Sequence, residues 1–333
     1  MLDSLTPARR AELDAALAAV RLASTVCTAV QAELVTPDTL QKKDKSPVTV
    51  ADFASQAVVC GTLKHALGVQ PVVGEENADE LRAAGQEELR KRVAGHVTKA
   101  AWQSLSESEV LDLIDLGGSP ATGDRYWTLD PIDGTKGFLR KEQYAVALAL
   151  IEKGVVVLGV LGCPNLPSSS GGTGALFAAV RGHGAVELPM AGGGLSGAKA
   201  IKVDGIAATQ GARFCESVES GHSDQGRSAK VAQTLGITAE PVRMDSQCKY
   251  AAVARGDASI YLRLPTSADY RENIWDHAAG LVVIEEAGGK VTDVDGKPLD
   301  FSHGRRFEHN RGVIATSGAI HAAVVAAVGA ALA

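Results

Sequence analysis

The stretch Trp127-Thr128-Leu129-Asp130-Pro131-Ile132-Asp133-Gly134-Thr135-Lys136-Gly137-Phe138 reads as a buried strand, Tyr126 to Leu129, running into a tight turn that carries two carboxylates and a threonine hydroxyl. Pro131 fixes its own φ and biases Asp130 towards extended backbone, while Gly134 and Gly137 permit bends that side chains resist. Two acids held close on a stiff turn repel each other. The arrangement therefore suggests a cation between them, and hard oxygen ligands suit Mg²⁺. The same residues also read as a strand followed by an ordinary Asp-Gly turn with solvated acids.

Two further tracts bear on that choice. Val72-Val73-Gly74-Glu75-Glu76 is a short apolar strand ending in Gly and acids, and Ile274-Trp275-Asp276-His277-Ala278-Ala279-Gly280 places an Asp where a helix begins. Alone, Glu75 and Glu76 fit a charged loop and Asp276 fits an N-cap. Together with Asp130 and Asp133 they put acids at the ends of three separate elements, which is how a multi-metal phosphatase centre is built.

With 333 residues, 45% of them hydrophobic, the chain can bury one large core or two modest ones. A net charge of −6 gives no broad attraction to nucleic acid or an acidic membrane, so an anionic substrate has to be held by local cations and metals. The five cysteines are odd in number and form no C-x-x-C pair, which points to a reducing compartment, cytoplasm or organellar stroma or matrix, and away from zinc. Met1 to Arg10 lacks the basic start and apolar run of a secretory signal, and Asp3 and Glu12 do not suit a transit peptide. The apolar tail from Ala319 to Ala333 is the only candidate membrane segment. It falls short of the ~20 residues of a span, so a packed terminal helix is expected.

Along the chain, Thr6-Pro7 and the recurrence of Leu13, Leu17, Val20, Ser24, Cys27 and Leu34 predict a long first helix, closed by Pro37. A second helix spans Val50 to Leu67 with Asp52 in its first turn, and two surface helices occupy Ala78 to Ser119. Tyr144 to Ile151 and Val155 to Leu161, joined by Glu152-Lys153-Gly154, predict a hairpin ended by Gly162-Cys163-Pro164-Asn165. A short hairpin follows between the Gly/Ser-rich stretches Pro167 to Gly174 and Ala191 to Gly197. Beyond Ala200, strands (Ala212 to Val218, Val242 to Met244, Ser259 to Leu264) mix with helices (Gly226 to Leu235, Ser246 to Arg255, Asp276 to Ala287, Ser317 to Leu332). Such mixing favours layered sheets with helices on their faces. Two subdomains, 1–165 with most of the acids and 166–333 with the rest, are expected to flank a cleft.

The tracts Gly74-Glu75-Glu76, Asp130-Pro131-Ile132-Asp133-Gly134-Thr135 and Trp275-Asp276-His277-Ala278-Ala279-Gly280 resemble the lithium-sensitive, magnesium-dependent phosphatases of the inositol monophosphatase superfamily. Within it, Lys45-Ser46-Pro47-Val48-Thr49, Gly134-Thr135-Lys136-Gly137-Phe138-Leu139-Arg140, Asp245-Ser246-Gln247-Cys248-Lys249-Tyr250 and Tyr261-Leu262-Arg263-Leu264-Pro265 are most similar to the 3'(2'),5'-bisphosphate nucleotidases. The likeness runs from about Leu13 to Ser317. It implies the α+β, or α/β, layered αβαβα sandwich of the sugar phosphatases and two to three Mg²⁺ ions. Glu75, Asp130 and the Ile132 carbonyl would hold the first ion, Asp130, Asp133 and Asp276 the second, and Glu75 the third, with Asp52 a further candidate there.

The resemblance also implies that the Thr135 hydroxyl orients the attacking water and that Asp52 accepts a proton from that pair. Read alone, Asp52 fits an acid stabilising a helix N-terminus. The amides of Gly134 and Thr135 suit the scissile phosphate. His222, Ser246, Lys249 and Arg263 would line the nucleotide site, Lys249 and Arg263 facing the base or the phosphate that stays. By themselves Ser246 fits a cap, Lys249 and Arg263 solvated cations, and His222 a structural histidine. Lys141 departs from the pattern, standing where relatives often have Gly.

The expected reaction is removal of the 3'-phosphate of adenosine 3',5'-bisphosphate to give AMP, clearing a by-product of sulfate transfer, with the sulfated precursor as a further substrate. A cation pair away from the metals suits a substrate with a second phosphate. Alternatives are an inositol polyphosphate 1-phosphatase or inositol monophosphatase, and a catalytically silent sensor of the nucleotide. The expected partner is a small nucleotide, with no nucleic acid and no membrane, for a monomer or weak homo-oligomer.

Overall fold

The structure, a computed structural model, describes residues 2–33, 46–100, 105–218, 225–265, 267 and 270–333. Helix α1 (Pro7–Glu33) starts on Thr6, whose carbonyl accepts from Arg10 N at 2.9 Å and whose hydroxyl accepts from Arg9 N at 3.3 Å, with Pro7 where no N–H partner is needed. Leu13, Leu17, Val20, Ser24 and Cys27 are its buried stripe; Leu34 and Pro37 lie outside the described residues. By length and composition α1 could also cross a membrane, which corrects the reading of the C-terminal tail as the only candidate. Its apolar window is 67% buried inside the protein, against the second helix and the first sheet.

Helix α2 (Ser46–Leu67) begins four residues before the expected Val50, because Pro47 serves as an early helical position. After β1 (Val72–Gly74), three helices rather than two fill the charged region: α3 (Asp79–Arg82), α4 (Glu87–Ala100) and α5 (Glu107–Asp115), the last opened by a Ser106–Glu109 capping box. Then come β2 (Arg125–Asp133), the short α6 (Thr135–Leu139) and the hairpin β3 (Ala145–Glu152) and β4 (Val155–Pro167). Lys153 and Gly154 turn that hairpin with positive φ, 51° and 74°.

Strand β4 continues past Gly162 because Gly162 and Cys163 pair with Leu176 and Ala175 of β5 (Thr173–Val180). With β6 (Ala185–Pro189) and β7 (Lys199–Ala200) these strands form a sheet in chain order, parallel only between β1 and β2. The division expected after residue 165 thus falls inside β4, and the chain leaves the first sheet after Ala200.

The second sheet, in the order β11-β12-β10-β8-β9, comprises β8 (Phe214–Glu216), β9 (Val242–Arg243), β10 (Ile260–Arg263), β11 (Lys290–Thr292) and β12 (Val313–Thr316). Its helices are α7 (Gln225–Leu235), α8 (Cys248–Arg255), α9 (Ala278–Glu286) and α10 (His321–Leu332). Helix α10 starts at His321 rather than Ser317 because Gly318 turns the chain with a φ of 95°.

Side chains of the first sheet alternate between two cores. Val146, Leu148 and Leu150 point to α1 and α2, and Ala145, Ala147, Ala149 and Ile151 to the opposite face. Small residues on that face let α9 lie close. A Cβ at Gly159 would sit 2.5 Å from Val282 Cγ1 and 2.9 Å from the Ala279 carbonyl. Helices α8 and α9 form the layer between the sheets, and α7 and α10 close a third core with Phe214, Ile260 and Ile314. The result is the expected five-layer αβαβα sandwich.

Candidate active site

Strands β1 and β2 run parallel, Gly74 beside Leu129, so Glu75 and Asp130 leave the sheet at the same edge. Asp130 opposes Ala147 of β3 and Asp133 opposes Ala145, three residues against two. In a regular strand residues three apart face opposite ways; this bulge returns both acids to one face. Asp276 arrives from the 3-10 turn Ile274–Asp276 that precedes α9. Asp130, Asp133 and Asp276 each present an oxygen within 4.8 Å of the others.

Those acids, with Glu75 and Ile132, line a cleft of about 450 Å³. Glu75 has an exposed side chain whose carboxyl faces inward, near enough to Asp130 to share a hydrogen bond; desolvation there pushes it up to about 7, with Glu76 and Asp133 adding repulsion. Burial, opposed by His277, and then Asp133 and Glu75 lift Asp276 to about 7. Asp130 is lifted well above the usual carboxylate range by burial, then by Glu75, Asp133, Asp276 and Asp52. Its Oδ1 is buried with no hydrogen-bond partner. Crowded oxygens, mutual repulsion and an orphaned acceptor fit a divalent cation.

Asp52 is buried on α2, its carboxyl raised by burial and by Glu76 and Glu75, and Thr49, one turn earlier, lines the cleft. Thr135 is exposed at the start of α6, just after Gly134, whose φ is 90°. A Cβ on Gly134 would meet Ser246 Cβ at 2.8 Å, so only glycine lets this turn abut the opposite wall.

The cleft is also lined by Ser246, Lys249 and Arg263, by Gln247 and Tyr261, and by Lys136 from the turn itself. Helix α8 begins at Cys248, not Ser246, because Ser246 adopts a φ of 66° that a helix does not accept; its Oγ accepts from Cys248 N at 3.2 Å. The next amide, Gln247 N, donates to Asp133 Oδ2 at 2.5 Å. Lys249 is buried, with Nζ 3.4 Å from the Met244 carbonyl and 5.2 Å from the centre of the Tyr261 ring; burial lowers its pKa against the pull of Asp133. Arg263 Nε donates to Glu272 Oε1 at 3.2 Å. His222 and Lys45 lie outside the described residues. Lys141 has a φ of 59°, the left-handed region that glycine enters freely.

Several residues of this cleft carry no role in the sequence reading. Gln247 donates to the Trp275 carbonyl at 2.9 Å and accepts from Gly280 N at 3.0 Å, tying the Asp133 wall to the turn that bears Asp276. His277 contacts Tyr250 OH through Nδ1 at 2.7 Å and faces the buried Glu272 at 3.6 Å. Gln247 and His277 sit inside tracts that stand out in the sequence, whereas Glu272 has no local signal.

The model of the inositol monophosphatase family matches residues 7–333. The chain belongs to the inositol monophosphatase family. This family member is 45% identical over 334 residues to a 3'(2'),5'-bisphosphate nucleotidase of Schizosaccharomyces pombe, covering 95% of this chain and 94% of that one. It is 46% identical to one of Oryza sativa over 327 residues (92% and 90%), and 42% identical to one of Dictyostelium discoideum over 308 residues (91% of each). The motif likeness to that group is therefore borne out over nearly the full length. Among solved structures, an IMPase of Thermotoga maritima superposes with a TM-score of 0.63 at 20% identity, covering 96% of this chain and 98% of that one. CysQ of Bacteroides thetaiotaomicron gives 0.60 at 20% identity, with 92% and 98% covered. These two share the fold.

Proposed function

We propose that this family member is a lithium-sensitive, Mg²⁺-dependent phosphatase that removes the 3'-phosphate of adenosine 3',5'-bisphosphate to give AMP, and that it also accepts the sulfated precursor. The observation that carries the reading is a single cleft lined both by crowded carboxylates and by held cations, Lys249 and Arg263. A nucleotide with two phosphates needs both sets of groups; an inositol monophosphate needs only the first. The names of the relatives agree with this choice.

Glu75, Asp130, Asp133, Asp276 and the Ile132 carbonyl would hold two to three Mg²⁺ ions. Bound Mg²⁺ supplies acidity to a water and charge to a leaving oxygen. The chain's own part is then orientation: the Thr135 hydroxyl directs the water, Asp52 takes the proton from that pair, and the amides of Gly134 and Thr135 bind the scissile phosphate. Ser246, Lys249 and Arg263, joined by His222, fix the remaining phosphate and the nucleoside. The protein would work as a monomer or weak homo-oligomer in a reducing compartment.

Phosphate release from adenosine 3',5'-bisphosphate, inositol 1,4-bisphosphate and inositol 1-phosphate, with and without Mg²⁺, tests the proposal. Turnover of the adenosine compound should dominate and require the ion. Preference for either inositol ester would overturn the substrate, and no turnover of any would favour a nucleotide sensor.

A further inference from the structure

Arg305 belongs to none of the acid tracts; it lies in the segment between β11 and β12. Its backbone is fixed to the turn that carries Asp276: Ile274 N donates to the Arg305 carbonyl at 3.0 Å, Phe307 N to the Glu272 carbonyl at 3.0 Å, and Asn273 bridges Arg306 in antiparallel fashion. From there the side chain spans from the turn to the end of β1. The guanidinium lies 4.7 Å above the Trp275 ring, and Nη2 donates to the Gly74 carbonyl at 2.5 Å. Gly74 ends β1 and directly precedes Glu75.

Asp130, Asp133 and Asp276 bring oxygens within 4.8 Å of one another, and Glu75 reaches them from the end of a different strand. Arg305 links that strand end directly to Trp275, the neighbour of Asp276. We infer that Arg305 is a positioning residue that sets Glu75 relative to Asp276 for binding of a divalent cation. The inference rests on the metal reading of the acid cluster.

Chemistry explains why arginine suits the task. A flat guanidinium can stack on an indole and donate in its own plane to a carbonyl; a lysine ammonium can meet a ring and a carbonyl together, as Lys249 does, but it is a point charge with no planar face to fix the angle between them. Charge alone would act in the opposite sense, because a fixed cation beside the cluster repels Mg²⁺. Position and charge therefore predict opposite signs when Arg305 is removed.

The test is Mn²⁺ binding to the full chain without substrate, followed by the paramagnetic resonance of the free ion, for wild type, Arg305→Ala and Arg305→Lys. The Mg²⁺ dependence of turnover and the KM for the bisphosphate are measured alongside. Both variants should bind Mn²⁺ about tenfold more weakly and need correspondingly more Mg²⁺ for half-maximal rate, with KM at saturating Mg²⁺ little changed. Unchanged or tighter Mn²⁺ binding by Arg305→Ala, or full rescue by Arg305→Lys, would overturn the role of Arg305 alone. A wild-type protein that binds no Mn²⁺ would overturn the metal reading beneath it. If the alanine variant does not fold, the lysine variant decides.

Discussion

In one set of groups lining the cleft, Glu75, Asp130 and Asp276 carry carboxyls raised by burial and by their acidic neighbours; in the other, Arg263 rests on Glu272, and Lys249 on a carbonyl and an aromatic ring. Both sets of groups are polar and at least partly withdrawn from water, Glu75 excepted, yet they settle their charge differently. The cations find their partners in the fold, Arg263 in Glu272 and Lys249 in the neighbourhood of Asp133, so they stay oriented whether or not a ligand is present. The acids receive only part of their balance in return: their pKa values are still pushed upward and Asp130 keeps an unpartnered oxygen, so the remainder has to come from added cations. One set is finished by the fold and the other is not.

The sharpest way to break that contrast is Asp133→Asn. It removes a cluster charge while keeping the shape that accepts Gln247 N, so turnover should fall roughly 10³-fold, several kcal/mol of transition-state stabilisation, with the circular dichroism spectrum unchanged. Wild-type turnover in this variant would reject the metal assignment. A smaller effect is expected at the cations. Lys249→Met and Arg263→Ala should each raise KM for the bisphosphate about 10–100-fold, the worth of a charge-assisted hydrogen bond, and change the rate on a small monophosphate ester far less. Equal losses on both substrates would show that these cations serve the scissile phosphate instead.

The smallest effect concerns stability. Carboxyls raised in the folded state hold protons there that the unfolded chain has released. Their stabilisation is present below the ordinary carboxylate range, about pH 4–4.5, and is lost as pH rises through about 7. Thermal melts of the chelated protein should therefore lose a few degrees across that window, and added Mg²⁺ should flatten the slope. A melting temperature that rises with pH in the chelated protein would contradict the crowding of the acids.

How far this was legible before any coordinates depends on how local each signal is. Asp130-Pro131-Ile132-Asp133-Gly134 is rigid on its own account, so the turn and its acids stand out, as do the long helices with their apolar stripes. The bulge that puts Asp130 and Asp133 on one face is not legible, because it exists only in the pairing with Ala145 and Ala147. Ser246 looks like a helix start and instead takes a left-handed backbone, since Gly134 packs against it and Gln247 must reach Asp133. Strands β11 and β12 are three and four residues long, too short to show a period. Glu272 and Arg305 are single charged residues in polar stretches, and only the folded chain shows whom they meet.

Because α9 is seated on Gly159, the whereabouts of Asp276 are decided from behind, by the spacing between layers rather than by anything in the crevice. A methyl group added there, more than a hundred residues from Asp276 along the chain, would shift the far half of the cluster as a block. Such a change would look like an ordinary variation of the interior when sequences are compared, and it would express itself as an altered appetite for ions.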